Sequence, residues 1–416
     1  MTIWTTSLED GGEISRAVDT HLLDEVVPFW TEHGLDGANG ERGVATCMKE
    51  DGRLLAPDRY GWSQWRAVWV FSRLADQYPS LSGCLDTALN VARFAASRGW
   101  DVESEGWAWK MDARGRILEG YRSIYADAFA IYGLAELARV SGQSKWIELA
   151  RMTADCVIER LAGPHDRIPH LPYPIPRGAR VHGIPMIFSY HLWELGKVSG
   201  DQRFLDVSAN LSDEIFDRFY DSGEDLLFER VSGRGGRFAG PDGTAVVPGH
   251  VIEDMWFQML IARETGNRAR VRTCRHLIRR HLEWGWDSEF GGLFLARNSD
   301  PRHPGAGWHL PESKLWWPHT EALVALALCW ADEPEDWIST WWDAIRDYSA
   351  RVFYMPEAGE WRQRCDRSGK PMNELVALPV KDCFHLPRAL ALISSFLAPA
   401  DRSIFAGEPE KLAWSK

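Results

Sequence analysis

Three histidines stand at the same place in a repeated pattern of this chain. His250, His319 and His385 each lie close to a proline at the start of a long apolar segment with helical periodicity. His319 comes 69 residues after His250, and His385 comes 66 residues after His319. If these segments are staves of one closed barrel, we expect the three imidazoles to converge at one end. Because imidazole has an unperturbed pKa near neutrality, such a cluster predicts proton transfer.

Charged residues follow the first and the third of these histidines at helical spacing. Glu253 lies three residues after His250, so the two share a helix face, and a carboxylate there would fix the imidazole tautomer and raise its basicity. The spacing alone fits an ordinary helix start with a capping acid; the repeat favours a site. Arg388 lies three residues after His385, and a guanidinium so close would lower the pKa of His385 and favour a neutral base.

The segment around the middle histidine has two interpretations. Glu321 stands in the first helical turn, where a carboxylate also favours the helix dipole, so capping alone could account for it. Trp317, His319 and Glu321 together also describe a wall that binds sugar hydroxyls, with a flat apolar ring beside polar groups. Both interpretations stay open at this stage.

An earlier segment adds Tyr60 and Arg66. Arg66 lies on an otherwise apolar helix, and a buried cation requires a carboxylate or a ligand oxygen beside it. A structural ion pair and a ligand contact are equally compatible with the sequence. Of the remaining histidines, His165 and His170 are predicted at the surface and His182 could face a pocket.

Helical periodicity predicts twelve segments that come in pairs, with short glycine turns between several partners. The second members begin at intervals of about 57–68 residues, which is longer than the repeat of small helical solenoids. Six such hairpins can close into an all-α (α/α)6 barrel, and we expect residues 1–416 to form one catalytic domain of this type. The predicted inner helices span residues 63–79, 120–141, 183–199, 250–265, 318–332 and 385–397.

Long connections lead into the inner helices, and four of them resemble one another. Residues 40–54, 105–117, 290–300 and 360–370 have alternating side chains broken by turn dipeptides, which predicts short β-hairpins at one mouth of the barrel. The inner helices begin at this mouth, so their positive dipole ends would stabilise an oxyanion there.

Composition excludes several classes of function. A net charge of −12 argues against nucleic-acid or anionic-membrane partners, and no apolar run is long enough for a transmembrane helix. The first residues do not form a secretory signal, and the seven scattered cysteines fit a reduced, cytoplasmic protein. The histidines do not have the spacing of a metal site, and no phosphate-binding glycine loop is present.

In the segments that carry the three histidines, the chain resembles the N-acylglucosamine 2-epimerase family, which includes mannose isomerases and cellobiose 2-epimerases. The resemblance rests on Pro248-Gly-His-Val-Ile-Glu253, Lys314-Leu-Trp-Trp-Pro-His-Thr-Glu321 and Cys383-Phe-His-Leu-Pro-Arg388, together with the segment from Trp62 to Arg66. It implies an (α/α)6 barrel. It also implies an acid/base pair, His250 and His385, with Arg66, Glu253, His319, Glu321 and Arg388 around the sugar. Tyr60 and Trp317, from the same segments, are further substrate-binding candidates.

The resemblance also favours one branch of that family. Isomerase and cellobiose-epimerase members carry a further histidine on the third inner helix, where this chain has Phe188. The leading hypothesis is therefore a sugar 2-epimerase that transfers a proton at C2 of a ring-opened aldose. The favoured reaction is the interconversion of N-acylglucosamine and N-acylmannosamine. An aldose–ketose isomerase is the alternative; a glycoside hydrolase with Glu253, Glu321 or Asp127 as its acid, or a silent sugar-binding protein, ranks lower. The chemistry requires no cofactor, activation by ATP stays open, and a homodimer is possible.

Overall fold

The computed structural model describes residues 3–303, 305, 307–373, 378 and 380–398. Long helices in hairpin pairs make up most of this part of the chain. They are α1 (Gly11–His21), α2 (Gly61–Gln77), α3 (Cys84–Arg98), α4 (Ile124–Ser141), α5 (Ser144–Leu161), α6 (Gly183–Ser199), α7 (Gln202–Glu214), α8 (Pro248–Glu264), α9 (Arg268–Gly285), α10 (Trp316–Asp332), α11 (Asp336–Val352) and α12 (His385–Leu397).

The even-numbered helices form a closed inner ring. Each packs against the next in the order α2, α4, α6, α8, α10 and α12, and α12 packs back against α2. The odd-numbered helices form the outer layer, with α3, α5, α7, α9 and α11 each on the inner helix that precedes it and α1 on α12. The predicted (α/α)6 barrel is therefore confirmed.

Burial explains which helix of each pair lies inside. In α10, every residue from Pro318 to Cys329 is buried, because its neighbours surround it. Its outer partner α11 buries only one face, which includes Ile338, Trp342 and Ile345. A helix that is apolar on all sides requires partners on all sides, and an amphipathic one can cover the ring and face water.

Glycines end two of the inner helices where the sequence predicted them. Gly142 and Gly200 follow α4 and α6 with φ of 66° and 65°, a left-handed conformation that glycine adopts without a steric cost. Two outer helices run on beyond their regular part. α1 continues through helical turns to Gly34 and α7 continues to Phe219, with wider π-type turns in both extensions.

The strands at the barrel mouth pair both within single connections and between successive ones. Three of the four predicted hairpins are present: residues 110–111 pair with 117–119, Met48 bridges to Leu54, and Cys365 bridges to Pro371. The prediction was wrong for 290–300, because residues 297–298 pair with 245–246. In the connection at 360–370, residues 364–365 pair in addition with 314–315 of the preceding connection. The chain just before each inner helix lies beside the neighbouring connection, so that connection supplies the hydrogen-bond partners.

Backbone pairing of this kind continues around the mouth. Residues 59–60 pair with 110–111, Ser123 bridges to His170, and residues 179–181 pair with 230–232. The Lys381 N–H donates to the Thr46 carbonyl at 2.7 Å and so joins the last connection to the first. The mouth is thereby fixed all the way round. Within the described residues, no helix is both long and apolar enough to cross a membrane.

Candidate active site

A cavity of about 200 Å³ opens at the mouth where the inner helices begin. Free backbone N–H groups and the positive ends of the helix dipoles therefore point towards it, which favours negative charge on a bound molecule. Each inner helix contributes wall residues from its first turn. These residues are Trp62, Tyr125, Gly183, His250, Trp316, Trp317 and His385.

His250 lies in the wall on the first turn of α8 and contacts a carboxylate. Its Nδ1 donates to Glu229 at 3.0 Å, and its Nε2 has no protein partner within the described residues. Burial alone would lower the pKa of His250, but the Glu229 carboxylate outweighs burial and the pKa is raised. The sequence analysis expected Glu253 to be this partner, and that was wrong. Glu229 precedes the strand 230–232, and nothing in its spacing from His250 predicted the contact.

His385 is the first residue of α12, which is separated from α8 in the ring by α10, and it also contacts a carboxylate. Its Nδ1 lies 2.7 Å from Glu321, so the proton on Nδ1 faces the carboxylate and Nε2 is the basic nitrogen. Burial and the positive charge of Arg66 lower the pKa of His385. A neutral imidazole at pH 7 follows, as the sequence analysis predicted.

Behind His385, a buried arginine joins two carboxylates. Arg388 is only 1% exposed and donates to Glu253 at 2.5 Å and to Glu321 at 2.8 Å. Burial raises the pKa of Glu321, and the charge and hydrogen bond of Arg388 act in the opposite direction. Glu253 lies in the cavity wall, whereas Arg388 and Glu321 lie behind it. Glu321 binds His385, and Arg388 binds Glu321, on the side away from the cavity. Neither Arg388 nor Glu321 contacts the cavity directly.

Trp317 separates the two histidines. Its ring stacks on His250 with 5.2 Å between centroids, and its centroid lies 5.8 Å from that of His385. The two imidazoles are therefore no farther apart than these two separations added together, and both line one cavity. The convergence expected from the repeat holds for these two histidines.

Arg66 forms an ion pair and also lies in the cavity wall, so the structure is compatible with both roles that the sequence left open. Its guanidinium donates to Asp382 at 2.8 Å and lies over the ring of Phe129 at 4.0 Å, and Arg66 and Asp382 both line the cavity. It is a paired cation in the cavity wall.

His319 does not join the other two histidines, so the predicted triple convergence was wrong. It is fully buried and lies outside the cavity wall. Its Nδ1 donates to the Leu315 carbonyl at 2.7 Å, and its Nε2 accepts the Leu293 N–H at 2.9 Å. Both nitrogens thus bind backbone, and the ring stacks on Tyr348 instead of facing a ligand.

Two further expectations about the wall were wrong. Tyr60 is buried against the edge of Trp109 and is not part of the wall. His170, expected at the surface, lines the cavity, where its Nε2 is 2.7 Å from the hydroxyl of Tyr125. Its loop folds over the mouth because the backbone bridge at Ser123 holds it there. His165, also expected at the surface, is 1% exposed.

The remaining sequence candidates lie behind the cavity. His182 is fully buried and is not in the wall, and Phe188 is likewise a core residue. Asp127 is buried outside the wall, where it accepts the Trp107 N–H at 2.9 Å.

One group of possible metal ligands occurs within the described residues. Ligand atoms of Glu253, Glu321 and His385 lie within 4.8 Å of one another. The Arg388 guanidinium donates to both of these carboxylates, so it already supplies the positive charge that a metal ion would bring there. The group is accounted for by this network.

Comparison with known proteins extends this description. Mouse N-acylglucosamine 2-epimerase is 30% identical over 90% of this chain and 90% of its own length, and the bovine enzyme is 29% identical over 90% and 89%. Among solved structures, cellobiose 2-epimerase from Bacillus thermoamylovorans superposes with a TM-score of 0.77 at 18% identity and covers 92% of this chain and 99% of its own. A D-mannose isomerase superposes with a TM-score of 0.75 at 16% identity and covers 90% and 96%.

The barrel and its mouth thus define a carbohydrate isomerase of the (α/α)6 class. The family model of N-acylglucosamine 2-epimerase (GlcNAc 2-epimerase) matches residues 43–389. The chain belongs to this family. The matched range includes both histidines, their two carboxylate partners and Arg66.

Proposed function

We propose that this protein is a sugar 2-epimerase that interconverts N-acylglucosamine and N-acylmannosamine. The observation that carries the proposal is the pair of imidazoles, His250 and His385, on two inner helices and beside one tryptophan ring. Each turns Nδ1 to a buried carboxylate, and each has an Nε2 that no described protein atom binds. The choice of sugar is supported by the mammalian relatives, which match along nearly the whole chain.

The two pKa shifts assign complementary roles to the histidines. His385, with its lowered pKa, is neutral and removes the C2 proton of the ring-opened sugar. His250, whose pKa Glu229 raises, is the better proton donor of the two and delivers a proton to C2 from the other side. Proton removal and return on opposite faces invert the configuration at C2. The roles exchange in the reverse direction.

Between these steps, charge develops on the oxygen at C1. Arg66 supplies a positive charge in the wall, and the first turns of the inner helices supply N–H dipoles. Both are fixed before the sugar binds, because Arg66 is paired with Asp382 and packed between the rings of Trp62 and Phe129. The enolate is thus stabilised without reorganisation of the site. No cofactor takes part in these steps, and binding of ATP elsewhere would act as regulation.

Isomerisation of an aldose to a ketose is the second candidate. An aldose with a hydroxyl at C2 would give an enediolate in the same cavity, and this intermediate yields a ketose if the proton returns to C1 instead of C2. The similarity to a D-mannose isomerase structure favours this alternative. The fold does not distinguish the two reactions, because one cavity can position either carbon near the donor.

The test is a sugar screen in D₂O followed by NMR. N-acetylglucosamine, N-acetylmannosamine, mannose, glucose and fructose are each incubated with the protein, with and without ATP. The proposal expects the C2 epimer of an N-acetylhexosamine with deuterium at C2. Conversion of mannose to fructose without N-acetylhexosamine turnover would instead establish the isomerase. A product that keeps its original hydrogen at C2 would contradict a two-base transfer that exchanges with solvent.

A further inference from the structure

A chain of buried polar side chains lies behind His250, and the proposed reaction leaves most of it unused. Asp254 is fully buried and lies 2.7 Å from Nε2 of His182, which is also fully buried. On the other side, Nδ1 of His182 lies 4.0 Å from Oε2 of Glu229. The same oxygen accepts the hydrogen bond from His250 at 3.0 Å. The order of the chain is therefore Asp254, His182, Glu229 and His250.

This chain of side chains begins and ends on one helix. Asp254 and His250 are four residues apart on α8, so they point from the same helix face. His182 comes directly before α6, and its backbone N–H donates to the Glu229 carbonyl at 2.9 Å. The ring and the backbone N–H of His182 thus both lie beside Glu229, between the neighbouring inner helices α6 and α8. The position of the Glu229 carboxylate depends on His182 as well as on its own strand.

His182 differs from the other buried histidines in what its ring contacts. His281 and His319 each donate from Nδ1 to a backbone carbonyl and accept a backbone N–H at Nε2, as a neutral imidazole does. His182 instead faces a carboxylate from each nitrogen: Nε2 lies 2.7 Å from Asp254, and Nδ1 lies 4.0 Å from Glu229 without a hydrogen-bond partner among the described residues. Its ring thus lies between two buried carboxylates, Asp254 on one edge and Glu229 on the other.

We propose that His182 and Asp254 are positioning residues for the acid/base pair: His182 holds Glu229 against His250 and balances its negative charge, and Asp254 holds His182. The inference rests on the proposed role of His250. It accounts for a buried imidazole and a buried carboxylate that neither line the cavity nor bind only backbone. Other polar or charged groups near this chain are Gln258 on Asp254, Arg230 beside Glu229, Glu253 on the helix of His250, and His170 and His281 on neighbouring segments.

The test replaces His182 by a neutral residue and measures the pKa of His250. In His182→Gln, Glu229 loses the ring that stabilises its negative charge, so the potential at His250 becomes more negative and its pKa rises by at least about 0.5 unit. The pKa is measured by NMR titration of the assigned His250 ring proton in the sugar-free protein. His281→Gln is the matched control, because it removes a buried imidazole that binds only backbone, and it should leave the pKa of His250 unchanged.

Steady-state kinetics supply the second measurement. In the direction in which His250 donates its proton, the high-pH limb of kcat/KM should move upward in His182→Gln by the same amount, and His281→Gln should keep the original limb. An unchanged or lower pKa of His250 in folded His182→Gln overturns the proposal, whatever happens to stability.

Asp254→Asn is the second variant if His182→Gln does not fold. It removes a negative charge that raises the pKa of His250, so the pKa of His250 should fall, and no fall would overturn the proposal. The NMR titration needs no substrate, so a protein that turns over no sugar would refute the proposed function and leave this inference decidable.

Discussion

Replacing Arg388 by methionine should cost more stability at alkaline than at acid pH. Arg388 is the shared partner of Glu253 and Glu321, and all three side chains are buried. Its removal leaves two carboxylates together without a cation, and breaking a buried pair in this way costs about 3–5 kcal/mol. With an unfolding entropy of about 2 cal/mol/K per residue over roughly 400 residues, this predicts a fall in Tm of about 4–6 °C near neutral pH.

The pH dependence follows from the pKa of Glu321. Burial already raises this pKa, and Arg388 is the largest influence that lowers it, so the pKa rises further in Arg388→Met. A carboxyl whose folded pKa lies above its unfolded value adds stability at low pH, and that stability is lost as pH rises through the folded pKa. The penalty should therefore grow between pH 5 and pH 8, by up to about 1.4 kcal/mol per pH unit for one proton.

Thermal unfolding at pH 5, 6.5 and 8 measures both quantities. Arg346→Met is the matched control, since Arg346 is also mostly buried but pairs with the exposed carboxylates of Asp343 and Asp347. Its Tm penalty should not grow with pH. If Arg388→Met loses the same Tm at pH 5 and pH 8, or loses less than about 1 °C throughout, the account of this buried cluster is wrong.

Three further variants test the roles of single side chains. Glu229→Gln removes the carboxylate that raises the pKa of His250, so an NMR titration should show a lower pKa and kcat at pH 7 should fall; an unchanged pKa would exclude Glu229 as the controlling partner. Trp317→Ala removes the ring beside both imidazoles, and steady-state kinetics should show kcat/KM reduced by at least about tenfold, whereas full activity would show that the stack is dispensable. His319→Gln should lower Tm and leave kcat/KM within about twofold, since this ring binds only backbone and Tyr348; a large loss of activity in the folded variant would return His319 to the site.

Much of the barrel was predictable because its signals are local. The six inner helices begin and end within a few residues of the predicted bounds, since apolar periodicity and glycine caps are written in short segments. The strand pairs at the mouth were harder. Residues 297–298 find their partners at 245–246, about fifty positions away, and alternation within one connection cannot reveal such a partner.

The site was predicted in part for the same reason. Arg66, His250 and His385 stand at recognisable helix starts, and the structure brings them to one cavity. His319 has the same local pattern, but its ring binds the backbone of a neighbouring connection. The spacing of residues along the chain does not predict that contact. Glu229 was missed because its relation to His250 exists only after the strand 230–232 has paired with 179–181.

The most direct test of the two-base mechanism is C2 hydrogen exchange in single-base variants. His250→Asn and His385→Asn are each incubated in D₂O with purified N-acetylglucosamine and, separately, with N-acetylmannosamine, and deuterium at C2 is followed by NMR. Each variant should lose epimerisation and still exchange the C2 hydrogen of one epimer, and the two variants should exchange opposite epimers. If either variant exchanges both epimers, or still interconverts them at the wild-type rate, the two histidines do not serve opposite faces of C2.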